Sequence, residues 1–296
     1  MTGRYGAVGL VLARPARLLG VEPFFMEFIA GLEETMAERD LSILLHVVPE
    51  QDAELATYRR WADRRLVDAV IVVNIAEGDQ RPDLLEELGL PFLVVGVAGE
   101  ERYPAVRTDQ KGAQREVLAY LRGLGHRRIA RVSGPTRLLH TQARTAALVE
   151  ECRSAGVEPM LFEGDYSSEA GTALTRRILA LPDPPTAILY DSDVMAVAGL
   201  RAAQDLGVVV PDQLSLVAWD DSTLCRLASP ALTTMSVDVH EFGVRVARSV
   251  FEVLDGAAVT ERWSPTARLT ARGTTARAPV NGLALSVRES GPIARR

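Results

Sequence analysis

The chain has 296 residues, 47% hydrophobic and 24% charged, which is apolar material for one large core or two medium ones. A formal net charge of −6 speaks against a surface that grips nucleic acid by itself, since that needs clustered Lys and Arg to displace counterions. Two cysteines, Cys152 and Cys225, stand far apart without metal or redox spacing, which excludes a disulfide scaffold and points to a reducing cytoplasm.

The opening "MTGRYGAVGLVLARP" lacks the long apolar run and small-residue cleavage site of a signal peptide, and no segment approaches the roughly 20 apolar residues of a membrane span. From the first strand onward, short β-rich apolar runs recur at 7–12, 41–48, 68–73, 91–96, 128–133, 186–190 and 214–219. Apolar on consecutive residues, they predict strands covered on both faces, the pattern of a parallel sheet. Helical stretches separate them. In "EPFFMEFIAGLEETMAERD", Phe25, Ile29, Leu32 and Met36 form one stripe toward a core. The stretches beginning at Asp193 and Asp238 behave alike, and each closes on a glycine suited to a helix C-terminus. Alternating strand and helix predict an α/β fold, and the number of strands predicts two doubly wound parallel-sheet lobes. After about residue 278 the periodicity is lost, and 278–296 reads as a disordered tail.

In such folds ligands bind beyond the carboxyl ends of the strands. "WDDS" follows the strand at 214–219 directly, so Trp219 and Asp220 are expected at that edge. A flat ring beside a carboxylate suits a sugar, whose C–H face stacks while its hydroxyls donate to the acid. Asp221 or Ser222 reads equally well as a cap on the turn that follows. The histidines at 46, 126, 140 and 240 show no metal spacing, and His126 in "LGHRR" reads as a turn or helix-end residue. No dinucleotide fingerprint, GxSxG elbow or catalytic carboxylate pair is present, so neither a cofactor nor an enzyme is expected.

Four blocks then occur in order: "LGHRRIARVSGP" (124–135), "TAILYDSDVMAVAGLRAAQDLGVVVPDQLSLVAWDD" (186–221), "SPALTTMSVDVHEFG" (229–243) and "LTARGTT" (269–275). Together they resemble the effector-binding core of the LacI/GalR family of bacterial transcription regulators. The resemblance runs from about Gly6 to Thr275. It implies a periplasmic-binding-protein-like type I fold, two lobes joined by three crossovers with the ligand between them. The implied N-lobe is 6–108 plus 238–265, and the implied C-lobe is 109–235 plus 266–277. Carried over by position, Arg144 matches the arginine of the family's Arg-x-x-Gly-aromatic pattern, although Ala147 and Leu148 replace the glycine and the aromatic. Asp220 matches the aspartate that accepts from sugar hydroxyls, and Tyr166 stands at an aromatic stacking position. Ser192 replaces the usual asparagine before the retained Asp193, Asp191 is an extra acid, and Gly96 stands where some members carry an aspartate. The loop after the first strand, with Arg14 and Phe24, and Asn74 would line the opposite wall. Arg144 also reads as a surface helix arginine, and Tyr166 as lobe packing.

The family implies a side-by-side homodimer. The loop "STLCRLASPALTTM" holds Leu224, Leu227 and Leu232 among few charges, so Leu224 and Leu227 are expected at that interface. Family members read operator DNA through an N-terminal helix-turn-helix. Residues 1–5 hold no such head, so the sequence reads either as the core of a longer regulator, the favoured reading, or as a protein that naturally lacks the head, with operator DNA contacted only through that missing head. The implied function is to sense a small effector, a sugar or in some members a nucleoside or purine, in the cytoplasm and away from any membrane. The alternative is a solute-binding protein of a sugar transporter.

Overall fold

The computed structural model describes residues 5–15, 23–96, 103–156, 159–257 and 262–280. Twelve strands among these residues form two six-stranded sheets. The first contains β1 (Ala7–Ala13), β2 (Ser42–Val48), β3 (Ala69–Val72), β4 (Phe92–Val95), β5 (Ala105–Arg107) and β11 (Arg262–Trp263). Its order is β11-β5-β4-β3-β1-β2, and every pair is parallel. The second contains β6 (Ile129–Ser133), β7 (Met160–Glu163), β8 (Ala187–Tyr190), β9 (Ser215–Trp219), β10 (Thr233–Ser236) and β12 (Arg268–Thr270). Its order is β12-β10-β9-β8-β6-β7, parallel except for the β10–β12 pair.

Both faces of the central strands are buried, which is why β1, β3, β4 and β8 read as unbroken apolar runs. In β1, Val8, Leu10 and Leu12 join one core while Val11 joins the other, the period-two alternation of a strand. Helices α1 (Pro23–Met36) and α9 (Val239–Leu254) pack on the first of these cores. Helices α2 (Gln51–Arg64) and α3 (Arg81–Glu87) pack on the second. Where α1 and α9 cross, Gly31 lies against the His240 carbonyl and Gly243 against the Phe28 carbonyl; a Cβ at either position would overlap backbone. The second sheet is covered by α4 (Gln110–Gly123) and α5 (Leu139–Ser154) on one face. On its other face lie α6 (Ser168–Leu179) and α7 (Asp193–Asp205). The short α8 (Thr223–Leu227) follows β9.

The chain passes three times between the sheets: from β5 into α4, from β10 into α9, and from β11 to β12. At the first two passages an aspartate caps the new helix. Asp109 accepts from the Gly112 N–H, and Asp238 accepts from the Glu241 N–H.

The seven apolar runs all form strands. The five that composition did not reveal, β5, β7, β10, β11 and β12, have two to four residues each. β7 is an edge strand whose side chains alternate in exposure, so it lacks the continuous apolar signature. On α1 the buried stripe runs through Phe25, Phe28, Leu32 and Met36, with Ile29 only partly buried beside it. Ala278 donates its N–H to the Leu124 carbonyl at 2.9 Å. The rest of the expected tail, 281–296, lies outside the described residues.

Candidate functional site

Between the sheets is a cavity of about 160 Å³. The carboxyl ends of both sheets supply its walls, through Arg14 after β1, Asn74 after β3, Gly96 after β4, Asp191 and Ser192 after β8, and Trp219 and Asp220 at the end of β9. Five described non-glycine residues have positive φ, and three of them line this cavity: Asn74 (54°), Tyr166 (69°) and Asp220 (70°). Such backbone costs on the order of 1–3 kcal/mol per residue, least for Asn and Asp, and it persists where its surroundings over-determine it. Asp220 is held by its own N–H, which donates to the Met235 carbonyl on β10 at 3.0 Å.

The wall from the second sheet is a network of buried charge. Arg131, on β6, donates to both oxygens of Asp191 at 2.8 and 2.5 Å and to the Thr145 hydroxyl at 2.7 Å. Arg144, on α5, approaches the same carboxylate at 3.5 Å and donates to the Gln110 Oε1 at 2.6 Å. Its guanidinium lies 3.7 Å from the centre of the Trp219 ring, so one face of that ring is already covered. Burial alone would raise the Asp191 carboxyl, but the Arg131 and Arg144 charges hold it below its ordinary range.

Asp220 lies in a different field. Burial first, then the charge of Asp193, push its carboxyl up to about 7, against the pull of Arg144. The Tyr166 hydroxyl shares a 2.9 Å hydrogen bond with His140 Nε2. Burial takes that imidazole down to about 3 and the phenol up to about 12, so both are neutral at physiological pH. The Tyr166 ring lies so close to Gly134 that any Cβ there would overlap it. Ser192 caps α7 by accepting from the Met195 N–H.

The facing wall is aromatic. Phe24 stacks on Phe28 with centroids 6.2 Å apart and meets Phe25 edge-on at 5.3 Å. Phe28 in turn packs on Phe242 at 5.4 Å. The Arg14 guanidinium lies 4.2 Å from the Phe25 ring centre, and burial lowers its pKa to about 10. The two lobes also touch directly beside the cavity. Glu77 N–H donates to the Arg137 carbonyl at 3.0 Å and Leu139 N–H to the Ile75 carbonyl at 2.9 Å, making a short antiparallel bridge between Ala76 and Leu138.

All nine residues singled out from sequence as ligand contacts line this one cavity: Arg14, Phe24, Asn74, Arg144, Tyr166, Asp191, Ser192, Trp219 and Asp220. Arg144 is buried, which removes the surface-arginine alternative. His140, Gln110, Phe28 and Phe242 line it too and were missed. A signal for His140 existed, since it precedes Arg144 by four residues and so shares its helix face. His126 is buried and bonded to the Thr186 hydroxyl and the Ala276 carbonyl, a structural role deeper than the expected helix end.

Of the pair left open after Asp220, Ser222 caps α8 by accepting from the Leu224 N–H. Asp221 instead takes both arms of Arg272, at 2.8 and 2.7 Å, tying "WDDS" to the "RGTT" block. Leu224 and Leu227 are exposed, by 41% and 78%, whereas Leu232 is buried within its own lobe.

A model of the periplasmic binding protein-like domain matches residues 118–275. The HTH-type transcriptional regulator AglR of Rhizobium meliloti is 33% identical over 288 residues, covering 94% of this chain and 80% of AglR. The chain belongs to the LacI/GalR family of transcriptional regulators. A LacI family regulator from Bifidobacterium animalis superposes with a TM-score of 0.86 at 33% identity, over 93% of this chain and all of that one. The regulator CelR, solved as a complex with cellobiose, superposes with a TM-score of 0.84 at 27% identity, over 92% and 85% of the two chains. These relatives are regulators, not enzymes or transport components. The parallel two-sheet architecture is that of the LacI/GalR effector-binding core. Among the described residues no helix is long and apolar enough to cross a membrane.

Proposed function

We propose that this LacI/GalR core senses a neutral sugar in the cavity between its lobes and passes the signal to operator DNA as a cytoplasmic homodimer. The observation that carries the reading is the pairing of Asp220 and Arg144 on one wall with stacked phenylalanines on the other. A sugar ring presents hydroxyls around its rim and C–H groups on its faces, and these two walls satisfy both. Asp220, Arg144, Asn74 and Ser192 bind hydroxyls in this reading, while Phe24, Tyr166 and the uncovered part of Trp219 take the apolar faces. Asp191 acts through Arg131 and Arg144, since its oxygens are already engaged. CelR, the relative solved with cellobiose, supports a sugar over a nucleoside. Operator DNA belongs to a helix-turn-helix head outside these residues, in keeping with the net charge of −6.

The exposed Leu224 and Leu227 form the contact between protomers in this reading. A two-fold dimer suits a palindromic operator. Calorimetric titration with a panel of hexoses, disaccharides and nucleosides tests the effector class. At least one sugar binds, and Asp220→Ala weakens it by about 1.5–3 kcal/mol, the worth of a charge-assisted hydrogen bond. Binding of nucleosides alone would refute the sugar reading. Light scattering tests the dimer: wild type returns twice the 32.1 kDa chain mass, and Leu224→Asp with Leu227→Asp returns one.

A further inference from the structure

Beyond the Asn74 and Tyr166 side of the site lies a second cavity, of about 220 Å³. Arg14, Val73, Asn74 and Tyr166 line both cavities, so the two adjoin across a shared partition. A cavity of about 150 Å³ accommodates one benzene-sized ring. Each compartment therefore has room for one ring.

The two linings differ in chemistry. The first is aromatic and acidic, as described. The second has Tyr166 as its one aromatic; its apolar part is aliphatic, with Pro15, Pro49, Pro135 and Leu138, and its hydrogen-bonding part includes Gln51, Glu54, Arg81, Arg137 and Asp165. The Glu54, Asp79 and Arg81 charges beside it are spent on each other. Arg81 is buried and donates to Glu54 at 2.7 Å and to Asp79 at 2.6 Å, and its second arm also holds the Asn74 carbonyl at 3.0 Å. Gln51 donates to Asp79 and accepts from Arg137. A phosphate would meet the Glu54 and Asp165 carboxylates in this lining, and Arg81 is committed to Glu54 and Asp79. A flat base stacks best on an aromatic face, and Tyr166, shared with the first compartment, is the one aromatic in this lining. Hydroxyls fit such a lining, because each donates and accepts at once.

We infer that the effector has two rings, and that it is a disaccharide whose second sugar occupies this second compartment. The inference rests on the proposed sugar site and adds to it the length of the ligand and the residues that read its far end. The buried Arg81 network is then a scaffold that fixes Asn74 in its left-handed conformation on the partition. Arg14 and Tyr166 flank the bond that joins the two rings.

Calorimetry on the full chain with glucose, galactose, maltose, cellobiose, adenosine and cytidine tests it. One disaccharide is expected to bind about tenfold or more tightly than either hexose, because the second ring adds contacts without a second loss of translational freedom. In Gln51→Trp, where the indole fills the second compartment, the affinity for that disaccharide falls to the level of the hexose. Thermal melting shows whether this variant folds. The wild-type comparison of hexose with disaccharide needs no variant, so a misfolded Gln51→Trp leaves a decisive measurement in place. A hexose that binds as tightly as both disaccharides would overturn the two-ring inference and leave the sugar site standing. A Gln51→Trp protein that folds and keeps its full preference for the disaccharide would also overturn it. Nucleoside binding with no sugar binding would overturn the sugar reading itself, and this inference with it.

Discussion

The two walls of the cavity are built on opposite principles. On the second-sheet side, charged groups are buried before any ligand arrives and are already fixed by one another: Arg131 with Asp191, Arg144 with Gln110 and Trp219. On the first-sheet side, phenylalanines pack ring to ring and hold no hydrogen bond to reorganise. A hydrogen bond to a fixed group has direction, whereas burial against a ring has only area. The first wall can therefore tell one hydroxyl arrangement from another, and the second supplies affinity that is indifferent to it. The division also assigns risk. The charged wall is stable only while every partner is present, and the aromatic wall tolerates loss piece by piece.

The sharpest way to break this contrast is to remove one member of the buried network. Arg131→Met keeps the volume and leaves Asp191 with only longer contacts, to Arg144 at 3.5 Å and to the Gly134 N–H at 3.4 Å. Removing one partner of a buried ion pair costs about 3–5 kcal/mol, because an uncompensated charge remains inside. Urea denaturation should show that loss. Arg131→Met with Asp191→Leu should recover part of it, since Asp191 is no longer buried uncompensated, while Arg144 loses its own contact to that carboxylate. If the single variant costs less than about 1 kcal/mol, the network is not holding the wall.

Much of this was legible in the sequence, and the reasons differ by element. β1, β3, β4, β8 and β9 announce themselves because burial on both faces leaves their side chains almost wholly apolar, and β6 does so despite the buried Arg131 and Ser133. Trp219 and Asp220 were legible because they end such a strand. The edge strand β7 was not, since half its side chains meet solvent. Arg144 and Asp191 could be singled out, but their partner Arg131 could not. An arginine in the middle of an apolar strand gives no hint, in one dimension, of a carboxylate sixty residues away. The phenylalanine stack was half legible: Phe24 lies in the loop-to-helix segment, whereas Phe28 and Phe242 meet only once α1 and α9 cross at Gly31 and Gly243.

A smaller effect follows from Asp220, whose carboxyl is pushed up to about 7 from its ordinary 3.8 by burial and the Asp193 charge. The folded state holds this proton more tightly than the unfolded chain. Stability is therefore contributed below about pH 4 and is lost as pH rises through about 7. Asp193, also raised by burial, acts in the same direction. Asp220→Asn should accordingly flatten the decline in urea stability between pH 5 and pH 8. Binding runs the other way. A carboxylate that accepts from sugar hydroxyls must be ionised, so affinity should be about tenfold weaker at pH 6 than at pH 8. Titrations at the two pH values check this, with Asp220→Asn as the variant whose affinity no longer depends on pH. An affinity that rises toward pH 6 would mean that the protonated acid donates to the ligand.

The smallest effect belongs to the aromatic wall, and it tests the contrast most directly. Phe24 is half-buried and leans on Phe25 and Phe28, which remain in place when its ring is removed. Phe24→Ala therefore opens the wall without collapsing it, and the loss in effector affinity should be about 1 kcal/mol, the worth of a few tens of Å² of apolar contact. The pattern matters more than the size. A ring face meets the C–H groups of every hexose alike, so the loss should be the same for glucose and galactose units. Asp220→Ala should change the ratio between them, because the two epimers aim one hydroxyl differently. Calorimetry on both variants with both sugars gives the four numbers needed. Were Phe24→Ala to alter the epimer ratio while Asp220→Ala left it unchanged, selectivity would reside in the aromatic wall, and the roles of the two walls would have to be exchanged.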